Sequence, residues 1–488
     1  MAFKTDDSFL EKLTMGAAGS RAVAAYLDSR GHHMAELERY TTANKIWARK
    51  VKRLRLPDLF CVRCGLRVEA RAKSKLEIKL SDSPSVQGRE WDANLRDEDL
   101  VGLVKCYLND GEVQPGSRVE LFTVGALRES VGHSKLGPPK SASEGAERDR
   151  TWPANAPPRS GKVVDIEPER VRVQWSDGGR YSYQLTDVKR HAYVDVEHGF
   201  TGQEQFIIGS VEAPGDLDCP GPSWKPSEDL GSEEATDRYA AVKSLGLAGD
   251  TSASEALREI TGSERDDVRI RVEALGALGR LGDTVAVQRL TEIAASEELP
   301  EGMPMEAVLI LSELTSDQAT DALEAVAANP ELDEELRAAA AWGLGATGHN
   351  QPARLLQFIG DSNDYLAVHA VVAAGTNLDQ NICSQAGELL TGGSRQAAAA
   401  TRLLASQGGT GAKVLSEVAN SGTGSARVWA LRGLGLAGRA AIAEVDLPAD
   451  TIRLLEPLLA AEDSFIDEED ALKLLRFVEK QVTFNPLV

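Results

Sequence analysis

The sequence predicts a multidomain α+β chain: an N-terminal α/β domain, then a small β-barrel, then a C-terminal α-solenoid. Three observations predict that order. A short block recurs at near-constant spacing through the C-terminal half. An alternating apolar pattern broken by tight-turn residues fills 161–193. An amphipathic helix followed by a basic hairpin opens the chain. The length of 488 residues leaves room for all three, at about 100–200 residues per domain. The expected boundaries are 1–135 for the first domain, 136–160 for a Pro- and Ser-rich linker, 161–195 for the barrel, 196–234 for a connector and 235–488 for the solenoid.

Charge divides the chain. Residues 1–200 carry 33 basic and 29 acidic side chains, whereas residues 201–488 carry 21 and 46. Within the first part, residues 39–79 hold 13 basic groups against three acids, Asp58, Glu69 and Glu77. A patch of that sign and density is the footprint of a phosphate-binding surface, so nucleic acid, DNA first, is the expected partner. The candidate contacts are Lys45, Lys50, Lys52, Arg53, Arg55, Arg71 and Lys75. A solvated basic strand pair is the bland alternative. Lysine is scarce, 18 against 36 arginines in a chain of net charge −21, as suits a salt-adapted cytoplasmic protein or an acidic scaffold. The opening MAFKTDDSFLEKL has no apolar core of the signal-peptide kind and no run approaches ~18 apolar residues, so neither secretion nor membrane insertion is expected. Five cysteines in this length do not make a disulfide framework.

In the first domain, GAAGSRAVAAYLDSRGHHM (16–34) reads as one amphipathic helix with Val23 and Leu27 on its apolar face. KRLRLPDLFCV and RVEARAKSKLEI then read as a hairpin turning at Cys64–Gly65. Asp58 follows a proline on one strand, and Glu69, Arg71 and Lys73 alternate along one face of the other. Two carboxylates on adjacent strands can hold Mg²⁺ or Mn²⁺ by oxygen ligation, and a lysine beside them can activate water. Cys61 and Cys64, as CVRCG, form half of a zinc knuckle. Cys106, His32 and His33 are the candidate completions of a structural Zn²⁺ site, Cys106 being preferred, against a reading as two packed, reduced thiols.

At these residues the chain resembles the PD-(D/E)xK nuclease superfamily, with its restriction-endonuclease-like fold, over roughly residues 10–135. Pro57–Asp58 matches the PD, and Glu69 followed by Lys73 looks like a loosened ExK. The resemblance implies Asp58 and Glu69 as metal ligands and Lys73 as the catalytic lysine. Glu38 would replace the helix glutamate of some relatives, where this chain has Ser20. The strict pattern would place lysine at 71, where Arg71 stands, and arginine cannot accept a proton. An active nuclease, an inactive nucleic-acid-binding relative and coincidence all remain open.

Within the barrel, Val163, Ile166, Val171, Val173, Trp175, Tyr181 and Tyr183 alternate, with breaks at Glu167–Pro168 and Asp177–Gly179. GKVVDIEPERVRVQWSDGGRYSYQL resembles SH3-like, Tudor- or KOW-type modules. Trp175, Tyr181 and Tyr183 are either an exposed aromatic face or, for Trp175 above all, core.

The repeated block reads LGLAGD (245–250), LGRLGD (278–283), LSELTS (311–316), LGATGH (344–349), AGTNLD (374–379), LASQGG (404–409) and LGLAGR (434–439). Its starts are spaced 33, 33, 33, 30, 30 and 30. Each unit carries two short amphipathic segments, so stacked helix pairs are expected, with glycine ending one helix and Asp or Thr capping the next. Over about 235–445 this resembles the HEAT family, especially its alanine-rich, phycobilisome-lyase-like form, which implies a protein partner. His349 and His369 are lone histidines and Cys383 a small core residue; Leu454–Leu459 and Leu472–Val478 read as closing helices.

The sequence contains no GxxxxGK[ST] loop, no GxGxxG after a strand, no GxSxG and no HExxH. Catalysis, if present, therefore rests on Asp58, Glu69 and Lys73. The reading is a metal-dependent DNA endonuclease or nuclease-like DNA-binding protein, with defence against foreign DNA as a role suggested by the superfamily. Its rival is a non-enzymatic HEAT-repeat scaffold that docks on nucleic acid and binds protein.

Overall fold

The computed structural model describes residues 7–37, 56–75, 77–109, 112–141, 146–152, 159–175, 179–184, 193–194, 205–209, 214–296, 302–345 and 351–460. Helix α1 (Asp7–Asp28) precedes strands β1 (Met34–Glu36), β2 (Leu59–Cys61), β3 (Arg67–Lys73), β4 (Lys79–Asp82), β5 (Leu100–Asn109) and β6 (Glu112–Thr123). Five of these strands form a sheet in the order β1-β2-β3-β5-β6. β3 and β5 run parallel; the other neighbours are antiparallel. The hairpin expected at Cys64–Gly65 is present, and Gly65 takes a φ of 74° there.

The sheet is covered on both faces. Val68, Ala70, Leu100 and Val104 pack with Val23, Ala24 and Leu27 of α1. Close contact is possible because Gly19 has no side chain: a Cβ there would lie 2.6 Å from the Cβ of Ala72. On the opposite face, Val101, Leu103 and Phe122 join Ile78, Leu80, Trp91 and Trp152 in a second core.

Trp152 corrects the linker boundary. After α2 (Val124–Glu129), strands β7 (Lys135–Leu136) and β8 (Arg148–Thr151) pair with β4 in a three-stranded sheet. Trp152 is 1% exposed, meets Trp91 edge-on at 5.1 Å and donates from Nε1 to Ser130 Oγ at 2.9 Å. A buried indole brings enough apolar area to anchor a segment whose composition otherwise reads as linker. Residues 146–152 thus belong to the N-terminal folded unit.

The central segment forms a five-stranded antiparallel sheet, β11-β10-β9-β13-β12. Its strands are β9 (Arg159–Ile166), β10 (Arg170–Trp175), β11 (Arg180–Gln184), β12 (Tyr193–Val194) and β13 (Gln205–Gly209). β13 pairs with β9 and comes from residues that the sequence assigned to the connector. Val171, Val173 and Trp175 all point inward, and Trp175 is 2% exposed.

From α3 (Pro226–Asp229) onward the chain is helical. The first helices of successive units are α4 (Ala235–Leu247), α6 (Val268–Arg280), α8 (Met303–Glu313), α10 (Glu334–Gly345), α12 (Asp364–Ala374), α14 (Ser394–Ala405) and α16 (Gly424–Ile442). Their second helices are α5 (Ser254–Gly262), α7 (Thr284–Ala294), α9 (Asp317–Ala328), α11 (Pro352–Leu355), α13 (Gln380–Glu388), α15 (Gly408–Ser421) and α17 (Ala449–Ala460). The repeated block does the expected local work. Gly249 and Gly282 turn the chain at φ of 67° and 88°, a conformation costly for any residue with a Cβ. Asp250, Asp283 and Asp379 then accept backbone N–H bonds at the next helix start. Neighbouring units are tied by bonds near one repeat in span: Arg354 to Asp321, Gln357 to Glu324, and Arg395 to the carbonyl of Ser362. His369 and Cys383 are fully buried; His349 lies outside the described residues, as do residues 461–488.

The array is seated directly on the N-terminal sheet. Ala35, Leu37, Leu56 and Phe60 share one apolar core with Tyr239, Val242 and Leu245 of α4. Arg67, with a side chain 2% exposed, forms an ion pair with Asp237 in the first turn of α4. Lys243 Nζ reaches the carbonyl of Leu37 at 3.4 Å. Among the described residues no helix is long and apolar enough to cross a membrane.

Candidate functional site

Two constellations lie in the N-terminal domain. The first consists of the carboxylates Asp58 and Glu69 and their basic neighbours. The β2–β3 register, with Leu59 opposite Val68 and Phe60 opposite Arg67, puts Asp58 level with Glu69 on the face away from α1. Glu69, Arg71 and Lys73 follow one another along that face by the two-residue period of a strand. The structure therefore brings Asp58 and Glu69 together, and Arg71 lies between them. Arg71 Nη1 donates to Asp58 Oδ2 at 3.2 Å, and its Nη2 is ion-paired with Glu69 Oε1. Asp58 Oδ2 also accepts the Ala70 N–H at 2.8 Å. Burial, with the charges of Arg71 and Lys79, pushes the Lys73 ammonium below its ordinary pKa.

Of the remaining sequence-derived candidates, Glu38, Lys45, Lys50, Lys52, Arg53 and Arg55 lie outside the described residues. Lys75 is exposed, and Arg71 is committed to the two carboxylates. Trp175 is core, so it offers no exposed ring; the side chains of Tyr181 and Tyr183 are not among those described.

The second constellation is the thiol pair. Cys61 ends β2 and Cys64 sits in the turn, where Gly65 N–H bonds back to the Cys61 carbonyl at 2.9 Å. Cys106 does not complete the group. It lies on β5 among the core residues of α1 and β3, where burial raises its thiol pKa. The residues that do converge are His32 and Cys219, and all four ligand atoms lie within 4.8 Å of one another. The hydrogen bond from Cys64 lowers the Cys61 thiol pKa against burial, while that bond and burial raise Cys64. Cys219 was missed because it stands 155 positions beyond Cys64 in a Gly- and Pro-rich stretch, PGDLDCPGPSW. An isolated cysteine there carries no spacing signal.

Comparison with known proteins bears on the helical half. The family described as HEAT repeats matches residues 228–302. No curated protein matches this chain. Among solved structures, the chain is similar to the complex of CpcE and CpcF of phycocyanin lyase from Nostoc sp. PCC7120, at 21% identity over 51% of this chain and 97% of that one, with a TM-score of 0.24. It is also similar to human deoxyhypusine hydroxylase in complex with glycerol, at 19% identity over 51% and 86%, with a TM-score of 0.19. Superpositions of that quality say nothing about chemistry. The family match and the helix pairs agree, however: behind a sheet-rich N-terminal region the C-terminal region is a helical repeat array, of which residues 228–302 match HEAT repeats.

Proposed function

We propose that the protein is a non-enzymatic HEAT-repeat scaffold. Its helical array binds a protein partner, and its N-terminal domain docks on nucleic acid, DNA first, through the basic segment 39–79. The observation that carries the non-catalytic reading is Arg71. Its guanidinium engages both carboxylates that a divalent ion would need, occupying the space between them and offsetting one of their two charges. Support for the docking role is the balance of 13 basic to three acidic groups in that segment, of which Arg67 and Arg71 are engaged within the fold, in a chain of net charge −21. The protein-binding role follows the habit of stacked helical repeats, which present extended surfaces to partners.

One observation favours a second reading, a Mg²⁺- or Mn²⁺-dependent DNA endonuclease acting in defence against foreign DNA. Asp58, Glu69 and Lys73 share one sheet face, and burial lowers the Lys73 ammonium from its ordinary pKa. Displacement of Arg71 by a metal or substrate would free the two acids to ligate. One experiment separates the readings. Linear and supercoiled DNA are incubated with the full chain and Mg²⁺ or Mn²⁺, beside Asp58→Ala. The scaffold reading expects salt-dependent retention of DNA with no cleavage by either protein. Cleavage abolished by Asp58→Ala refutes it.

A further inference from the structure

We propose that His32, Cys61, Cys64 and Cys219 bind one Zn²⁺ in a closed, structural Cys₃His site that clasps the connector to the N-terminal domain. The four residues come from three separate segments: the turn after α1, the β2–β3 turn, and the extended chain that leads into the HEAT repeats. Their ligand atoms all lie within 4.8 Å of one another. A tetrahedral zinc with bonds of about 2.3 Å to sulfur and 2.05 Å to nitrogen needs S–S edges near 3.8 Å and S–N edges near 3.5 Å. The Cys64 Sγ to His32 Nδ1 separation is 3.5 Å. An iron–sulfur cluster, with ligands spread over several irons, would hold these atoms farther apart.

The surroundings fit the same chemistry. His32 Nε2 sits 3.0 Å from the Leu217 carbonyl, which fixes the ring and turns the Nδ1 lone pair toward the sulfurs. The His33 N–H points at Cys61 Sγ from 3.4 Å, as a backbone donor does toward a thiolate. Cys61 is fully buried and His32 is 8% exposed, while Cys64 and Cys219 are half-buried, so the cluster lies just beneath the surface. With four protein donors no coordination position is left for substrate, which makes the site structural.

The stretch 214–225 also meets the N-terminal domain through hydrogen bonds and ring contacts. The Cys219 N–H bonds to the Arg30 carbonyl at 3.0 Å, and Asp218 pairs with Arg30 near the surface. Beyond the clasp, Trp224 lies edge-on to Phe60 and donates to Asp229, and Asp237 then meets Arg67. A metal at the four-residue cluster thus sets the point from which the first repeat is laid on the sheet.

The test uses the full chain purified after growth with added zinc. Elemental analysis should give about one zinc per chain, for the native protein and for Cys106→Ser alike. Cys219→Ser should weaken zinc more than about tenfold in competition with a chromophoric chelator, and should expose residues 214–225 to protease. In the Co²⁺-loaded native chain, thiolate-to-metal charge-transfer bands and intense tetrahedral d–d bands should appear, whether or not the variant folds. The proposal is overturned by a folded native chain that takes up no zinc and shows no such bands. It is equally overturned by undiminished zinc affinity in folded Cys219→Ser, or by a disulfide between any two of the three cysteines in the freshly purified chain.

Discussion

Arg71→Ala tests how the acidic pair is held. The substitution leaves Asp58 and Glu69, with side chains 12% and 15% exposed, facing each other without their shared cation. Removing one partner of a fully buried pair costs about 3–5 kcal/mol. The Arg71 side chain keeps 29% of its surface in water, so the expected cost is lower, about 2 kcal/mol, comparable to the loss of one or two charged hydrogen bonds. Hydrogen–deuterium exchange of peptides covering 56–75 reads this locally: 2 kcal/mol corresponds to exchange about 30-fold faster. The variant should also gain room for a divalent ion where the guanidinium stood. Mn²⁺ at about 100 times its dissociation constant would return about 2.7 kcal/mol and restore slow exchange. Two results refute the reasoning: exchange unchanged in Arg71→Ala, or Mn²⁺ protecting the native chain as strongly as the variant.

Four further outcomes are expected. Burial pushes the His369 imidazole down to about 4, against the hydrogen bond that its Nδ1–H donates to the Tyr365 carbonyl. The unfolded chain therefore binds a proton that the folded chain refuses between about pH 6.5 and 4. Stability from this residue is complete above that window and falls by up to about 3 kcal/mol as pH drops through it; urea titrations at the two ends should show this loss in the native chain and not in His369→Leu. In Gly246→Ala the new Cβ would sit 2.7 Å from the backbone Cα of Ala277, so α4 and α6 must move apart at a cost of about 1–3 kcal/mol. Gly262→Ala, with nothing within 4 Å, should leave the urea midpoint unchanged or slightly raised. Asp237→Ala strips the partner from Arg67 at the seat of the array and should cost about 3–5 kcal/mol, read as faster exchange in both β3 and α4.

The sequence reading succeeded where the physics is local. The block ending in Gly249–Asp250 or Gly282–Asp283 names a left-handed turn and the cap after it within two residues, so repeat spacing alone locates the helix pairs. The β2–β3 hairpin was legible for the same reason, as was the shared face of Glu69, Arg71 and Lys73. What was missed depended on distant partners. Trp152 sits in a stretch whose local composition says linker, and only Trp91 and Ser130, 61 and 22 positions earlier, reveal it as core. Cys106 looked like the nearest completion of the thiol pair, yet its strand register turns it into the apolar layer under α1. Cys219 reaches the pair through a chain reversal that no periodicity encodes. The bridging role of Arg71 was likewise hidden: sequence identifies a residue unable to accept a proton, but not which acids it would reach.

Stacked repeats carry a built-in hazard, because each exposed end offers an apolar face to which another copy can add. Here one end is closed by a different kind of architecture. Phe60, Leu37 and Ala35 of the sheet fill the place that a preceding helix pair would occupy against α4. Growth of the array by duplication is thereby confined to positions after the first unit. An excised fragment beginning at α4 would need a substitute lid to avoid stacking end to end.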